Sequence, residues 1–252
     1  MSKISVVIIT KDEEKNIIRC LQSVQWADEI LVADTGSKDT TLQLAESGGA
    51  RVIKLSWDGF GRTKQKAVEA AQNDWILSLD ADEEVSPELK VKILELQPQL
   101  HEAQVYKIKR ISWYLGKKIR WCGWQDDFPL RLFNRKTAEF NEKVVHEGVK
   151  TKAKISLITA PLNHYTYPNL SDHVSKINFY TNLNVEEKYS KIKKYTITGA
   201  LFQGMWKFIV MYFFKQGFRD GKTGFLLCEN SAIGQYLKYL KLWEMRQNDL
   251  TH

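Results

Sequence analysis

Along residues 1–100, short apolar runs alternate with stretches of helical spacing. Ile4 to Thr10, Glu29 to Asp34, Arg51 to Leu55 and Trp75 to Asp80 read as strands, with helices between them. The runs lack the apolar and polar alternation of a sheet with one wet face, so both faces must be covered. This order predicts an α/β fold: a Rossmann-like, mostly parallel sheet flanked by helices and joined by right-handed crossovers. In such sheets a ligand binds beyond the carboxyl ends of the strands. Ser86-Pro87-Glu88 reads as a helix start, with serine as the cap and proline at the first helical position.

From about Tyr106 the pattern turns to segments rich in aromatics and arginine, among them Trp113-Tyr114, Trp121-Cys-Gly-Trp124 and Arg131-Leu-Phe-Asn-Arg135. Aromatic faces stack on sugar rings, and they also fill ordinary cores. After residue 170 the chain reads as a helical C-terminal extension. Within it, Leu201, Met205, Phe208 and Tyr212 recur at helical spacing, with Phe202, Ile209 and Phe213 widening the stripe. Two readings stand for Ala200 to Phe214: a buried core helix, or a helix lying in a lipid interface. A spanning helix is not expected, because Gln203, Lys207 and Lys215 interrupt the apolar run. No Gly, Ser or Pro-rich linker and no internal repeat divides the chain.

Charge sharpens the second of those readings. The 252 residues carry a net charge of +7, and much of the excess lies near the apolar stretch, at Lys188, Lys191, Lys193, Lys194, Lys207, Lys215, Arg219 and Lys222. That pairing points to an anionic membrane surface rather than to nucleic acid. Cys20, Cys122 and Cys228 are odd in number and widely spaced, which suits neither a disulfide framework nor a zinc site and fits a reducing cytoplasm. The N-terminal apolar run is too short for the core of an export signal.

Polar, acidic sequences stand at the predicted strand ends: Thr10-Lys-Asp-Glu-Glu14, Asp34-Thr-Gly-Ser-Lys-Asp39 and Asp80-Ala-Asp-Glu-Glu84. Each taken alone could be a turn or a helix cap. In Asp80-Ala81-Asp82, two carboxylates separated by one residue in extended backbone project the same way, and together they can hold one hard cation. Magnesium or manganese prefers such oxygen ligands and keeps positions open for phosphates.

Taken together, Ile8-Ile-Thr-Lys-Asp-Glu13, Val32-Ala-Asp-Thr-Gly-Ser-Lys-Asp39 and Leu79-Asp-Ala-Asp-Glu83 resemble the successive nucleotide-binding motifs of inverting family 2 glycosyltransferases with the GT-A fold. Within that group the chain most resembles bacterial transferases that add glucose to a heptose of the lipopolysaccharide or lipooligosaccharide inner core. The resemblance implies a nucleotide-sugar-binding half over 1–100 and an acceptor half over 101–170 of one domain, followed by a helical extension over 171–252 that is a candidate for membrane association. It implies a UDP-hexose donor, a lipid-linked oligosaccharide acceptor and a peripheral place at the cytoplasmic face of the inner membrane. A polyprenyl phosphate or other cell-surface glycan acceptor, and a non-catalytic sugar-nucleotide-binding protein, are the alternatives.

Residue by residue, the resemblance puts Thr10 and Asp12 or Glu13 near the nucleoside, and Asp34 against the uracil ring. It puts Asp80 near ribose and metal, and Asp82 on the metal itself. Arg62 and Lys64 would help with the phosphates; Lys66 departs from the asparagine common in relatives. Glu147 stands where a Glu-Asp pair is usual and is the expected general base, with His146, Asp126 and Asp127 as rivals or acceptor-binding groups beside Trp124. Gly217-Phe-Arg-Asp-Gly221 and Gly224 resemble a glycine-bearing turn of these transferases, read from sequence only as the end of a helix.

Overall fold

The computed structural model describes residues 2–142, 148–189 and 196–251. The chain divides into two compact units, one of residues 1–111 and 127–165, the other of residues 112–126 and 166–252.

The first unit is built on strands β1 (Ile4–Thr10), β2 (Glu29–Asp34), β3 (Arg51–Lys54) and β4 (Trp75–Asp80), connected through helices α1 (Ile17–Ser23), α2 (Thr41–Ser47) and α3 (Phe60–Glu69). After β4 come β5 (Glu83–Val85), α4 (Pro87–Leu96), β6 (Gln104–Tyr114), β7 (Lys117–Lys118), β8 (Leu130–Asn134), β9 (Ala138–Phe140), β10 (Val149–Thr151) and β11 (Lys154–Tyr167). The sheet has the order β3-β2-β1-β4-β8-β6-β11-β5, with β7 paired to β6. Its parallel part is β3-β2-β1-β4, and β8 joins β4 antiparallel. The α/β GT-A fold expected from the sequence is therefore the fold observed.

Every residue of β1 is buried, as a central strand covered on both faces requires. Its side chains alternate between two cores. Ile4, Val6 and Ile8 pack with Ile17 and Leu21 of α1 and Leu89 and Ile93 of α4. Val7 packs instead with Ile76, Phe133 and Ala67 and Val68 of α3. Period-two alternation along the strand thus feeds helical layers on opposite faces. Ser86 caps α4 as its sequence predicts, its hydroxyl accepting from the Leu89 amide at 3.1 Å, with Pro87 at the first helical position.

The second unit holds α5 (Leu170–Lys188), α6 (Ile197–Ile209), a π-helical turn Val210–Phe214, a 3-10 turn Gly217–Asp220 and α7 (Gly221–Thr251). Its core joins Tyr114, Ile119 and Cys122 to Met211, Leu227 and Cys228. The glycine-bearing turn has a physical role here. Asp220 accepts hydrogen bonds from the backbone amides of Arg120 (3.2 Å) and Trp121 (2.8 Å), and the Arg219 guanidinium lies 4.0 Å from the centroid of the Trp121 ring. The turn packs so closely that a Cβ on Gly224 would meet the Gly217 carbonyl oxygen at 2.1 Å.

Helix α6 is not a buried core helix. Leu201, Met205, Trp206 and Phe213 are each more than half exposed, Phe202 is 75% exposed and Phe214 69%. The helical stretch Ile197–Phe214, with mean hydropathy 1.3, is long and apolar enough by length and composition to cross a membrane. That differs from the expectation that polar interruptions exclude it: Lys207 is the only charged residue within the stretch, and Lys215 lies beyond it. Between α6 and α7 runs an apolar groove of about 370 Å³, lined among others by Leu201, Met205, Phe208 and Ile233.

Candidate active site

Parallel register brings the sequence-predicted carboxylates together. Thr10, the last residue of β1, is paired with Asp34, the last of β2, and Ile9 is paired with Asp80, the last of β4. The carboxyl ends of neighbouring strands therefore present Thr10, Asp34 and Asp80 side by side, where ligands of open α/β sheets bind. The Thr10 hydroxyl is buried and has no hydrogen-bond partner among the described residues, which leaves a polar group at this edge.

The loops that follow β1 and β2 are stitched to each other. The Asp12 amide donates to Ser37 Oγ at 2.9 Å, and Asp12 Oδ1 accepts from the Lys38 amide at 2.7 Å. The Glu13 amide donates to Thr41 Oγ1 at 2.8 Å, while the Glu13 carboxylate accepts from Asn16 Nδ2 at 2.7 Å. Asp34 is 2% exposed, and its carboxylate accepts from the Gly36 amide at 3.0 Å and the Ser37 amide at 3.2 Å. It is thus a turn-forming residue as well as a candidate nucleoside contact. A carboxylate has about four lone-pair sites, so the two roles are compatible.

Asp80 is the centre of an ion network. Its Oδ1 lies 2.8 Å from Lys64 Nζ and its Oδ2 2.6 Å from Arg131 Nη2. Arg131 also bonds Glu83 at 2.5 Å, and Arg110 links Glu83 at 3.1 Å to Asp127 at 2.7 Å. Burial opposes the charge on Asp80, but the Arg131 guanidinium and the Lys64 ammonium outweigh it and hold the carboxyl well below its ordinary value. Burial likewise opposes the charge on Arg131, and the two carboxylates raise it. The first acidic residue of the Asp-Ala-Asp sequence is therefore an ionised carboxylate already neutralised by protein cations.

Asp82 meets strand β11. Its carbonyl accepts from the Tyr165 amide at 2.9 Å, and its Oδ2 lies 3.5 Å from His164 Nε2. A carboxylate and an imidazole are suitable donors for a divalent cation. Among the described residues no group of three or more His, Cys, Asp or Glu could hold a metal ion, so a cation here would need substrate oxygens and water to complete its shell, as magnesium and manganese sites commonly do.

The other candidates divide. Lys64 joins the site through Asp80, whereas Arg62 pairs with Asp58 at 3.7 Å and Glu142 at 3.1 Å. Lys66 also pairs with Asp58, at 3.2 Å. Asp127 is held by Arg110 in the first unit, while Asp126, exposed, and Trp124, packed against the Tyr114 core, belong to the second. His146 and Glu147 lie outside the described residues. Glu83, Arg110, Arg131 and His164 were not singled out from sequence. Of these, only Glu83, inside Asp80-Ala-Asp-Glu83, and Arg131, in the arginine-bearing segment 131–135, carried any signal.

The fold and this edge define a glycosyltransferase. Residues 5–144 match glycosyl transferase family 2, and the chain belongs to that family. An uncharacterised glycosyltransferase of Rickettsia typhi is 31% identical over 99% of this chain and 89% of its own length. The lipopolysaccharide core biosynthesis glycosyltransferase LpsC of Rhizobium meliloti is 25% identical over 96% of this chain and 92% of its own. The crystal structure of a mycobacterial protein, 16% identical, superposes with a TM-score of 0.50 over 73% of this chain and 74% of that one, a likeness of fold alone.

Proposed function

We propose that this transferase moves a hexose, glucose from UDP-glucose, with inversion onto a heptose of the lipopolysaccharide or lipooligosaccharide inner core, at the cytoplasmic face of the inner membrane. The observation that carries the donor side is the row of Thr10, Asp34 and Asp80 at adjacent strand ends, followed by Asp82. LpsC, similar over nearly the whole of both chains, supports the acceptor class.

In this reading Asp34 accepts a hydrogen bond from the uracil imino group, with Asp12 or Glu13 beside the nucleoside. Asp80, kept ionised by Lys64 and Arg131, lies near the ribose. A divalent cation held by Asp82 would supply charge neutralisation at the departing diphosphate. Glu147 takes the proton of the acceptor hydroxyl as it attacks the anomeric carbon, so that no covalent intermediate is needed. The exposed face of α6, its groove against α7 and nearby Lys207, Lys215 and Arg219 suit a lipid interface with anionic head groups.

Mass spectrometry of the core oligosaccharide from a deletion strain tests the assignment. A core lacking one hexose on heptose is expected, and an unaltered core would refute the acceptor. Calorimetry tests the donor separately: UDP should bind more tightly than GDP, and equal affinity would refute the uridine reading.

A further inference from the structure

We infer that Cys122 and Cys228 are a peroxide-oxidised dithiol, closing to a disulfide that fastens the loop after β7 onto α7. The two stand 106 positions apart in the chain, so no local spacing marks them as a pair. The inference is independent of the donor and acceptor readings.

The fold of the second unit brings both thiols together in its core. Their sulfurs are 3.8 Å apart, and the residues are 1% and 0% exposed. Gly217 and Gly224 make the room. A Cβ on Gly217 would meet Cys228 Sγ at 2.7 Å and Cys122 Sγ at 3.1 Å, and the Gly224 carbonyl oxygen lies 3.9 Å from Cys122 Sγ. The glycine-bearing turn, which the sequence marks only as a helix end, is thus shaped around the sulfur pair. A disulfide holds its sulfurs at about 2.05 Å, so oxidation draws the two side chains toward each other.

The surroundings divide the work between the sulfurs. Their mutual contact lowers the Cys228 thiol below its ordinary value and raises that of Cys122, so Cys228 supplies the thiolate. It attacks one oxygen of hydrogen peroxide; the O–O bond breaks, hydroxide leaves with the proton that Cys228 gave up, and Cys228 becomes a sulfenic acid. Cys122 then attacks that sulfur. Its proton passes by way of Asp220, whose Oδ2 lies 3.7 Å from Cys122 Sγ, to the sulfenic oxygen, which leaves as water. Two thiols lose two electrons, and one peroxide becomes two waters.

Burial selects the oxidant. Bulky disulfides are shut out, whereas Cys122 lies in a loop between exposed Arg120 and exposed Gly123, and brief opening of that loop admits a small neutral peroxide. Cys20 has no such prospects. It is buried with its sulfur 3.8 Å from the Asp80 carbonyl oxygen, and burial together with the Glu83, Asp82 and Asp80 carboxylates holds its thiol well above the ordinary value.

The full-length reduced protein, treated with hydrogen peroxide and digested without reductant, reads this by mass spectrometry. The expected product is a peptide joining Cys122 to Cys228, lighter by two hydrogens and separated again by dithiothreitol, with Cys20 free. The bridge should also raise Tm, since it constrains a long stretch of unfolded chain; that rise should persist in Cys20→Ala and vanish in Cys122→Ser. Free Cys122 and Cys228 at peroxide levels that already oxidise methionine, a bridge formed only between chains, or sulfinic acid on Cys228 in place of a bridge overturns the inference. The wild-type digest needs no variant, so it decides the question even where a substitution prevents folding.

Discussion

Replacing Arg131 with methionine removes the guanidinium that joins the fully buried Glu83 to the part-buried Asp80 while keeping an unbranched apolar side chain in its place. Arg131 is 4% exposed, Glu83 is fully buried, and Arg131 bonds Glu83 and Asp80 at 2.5 Å and 2.6 Å. Breaking one side of a buried ion pair typically costs about 3–5 kcal/mol, because the remaining charge is left without compensation. Here Asp80 keeps Lys64 and Glu83 keeps Arg110, so the lower end applies, about 3 kcal/mol. For a chain of this size that corresponds to a fall in Tm of roughly 6–12 °C.

The pH dependence has a definite sign. Asp80 has a folded-state pKa depressed below its unfolded value, so its contribution to stability is fully present above the ordinary aspartate range of about 4 and is lost as pH falls toward the depressed value. The gap between wild type and Arg131→Met should therefore be widest near neutral pH and narrow in acid. Urea unfolding followed by tryptophan fluorescence at several pH values measures it. A variant within about 1 kcal/mol of wild type at pH 7 would refute the argument and make the network a solvated one.

Asp82→Asn should abolish most transfer with circular dichroism unchanged, and chelator should do the same to the wild type until manganese or magnesium is returned; full activity in excess chelator would exclude the metal role. Glu147→Gln should lower turnover by ~100-fold or more with donor affinity little altered, as for a missing general base, while Asp127→Asn is milder; the reverse pattern would move the base to Asp127. Gly224→Ala should destabilise the second unit by about 1–3 kcal/mol, because its Cβ meets a backbone oxygen at 2.1 Å, whereas Gly49→Ala has no such contact and tests only the backbone strain of its positive φ. The protein should float with anionic vesicles at low salt and detach as salt rises, each basic group near the surface contributing on the order of 1 kcal/mol; no association at low salt would refute the lipid reading of α6.

Much of the sheet was legible beforehand. The bounds of β1, β2 and β4 coincide with their apolar runs, and β3 ends one residue earlier than its run. Central parallel strands are buried on both faces, so their whole length is written as apolar residues ending abruptly in polar ones. For the same reason the acidic sequences at Thr10, Asp34 and Asp80 could be placed at strand ends, and register then brought them side by side.

What the sequence by itself determined, then, was the α/β order, the edge where ligands bind and the family that its motifs resemble. Tertiary structure alone decided how those residues are used. Lys64 pairs with Asp80, and Arg131, 51 residues beyond Asp80 in the chain, pairs there too. His164 reaches Asp82 only because β11 returns antiparallel beside β5. No local period encodes such contacts, since a charge pair between distant segments leaves no mark on the spacing of either. The apolar stretch of α6 is the same case in reverse. Its pattern was plain, but a helix apolar on most sides is buried or exposed according to its neighbours, and in the second unit too few of them cover it.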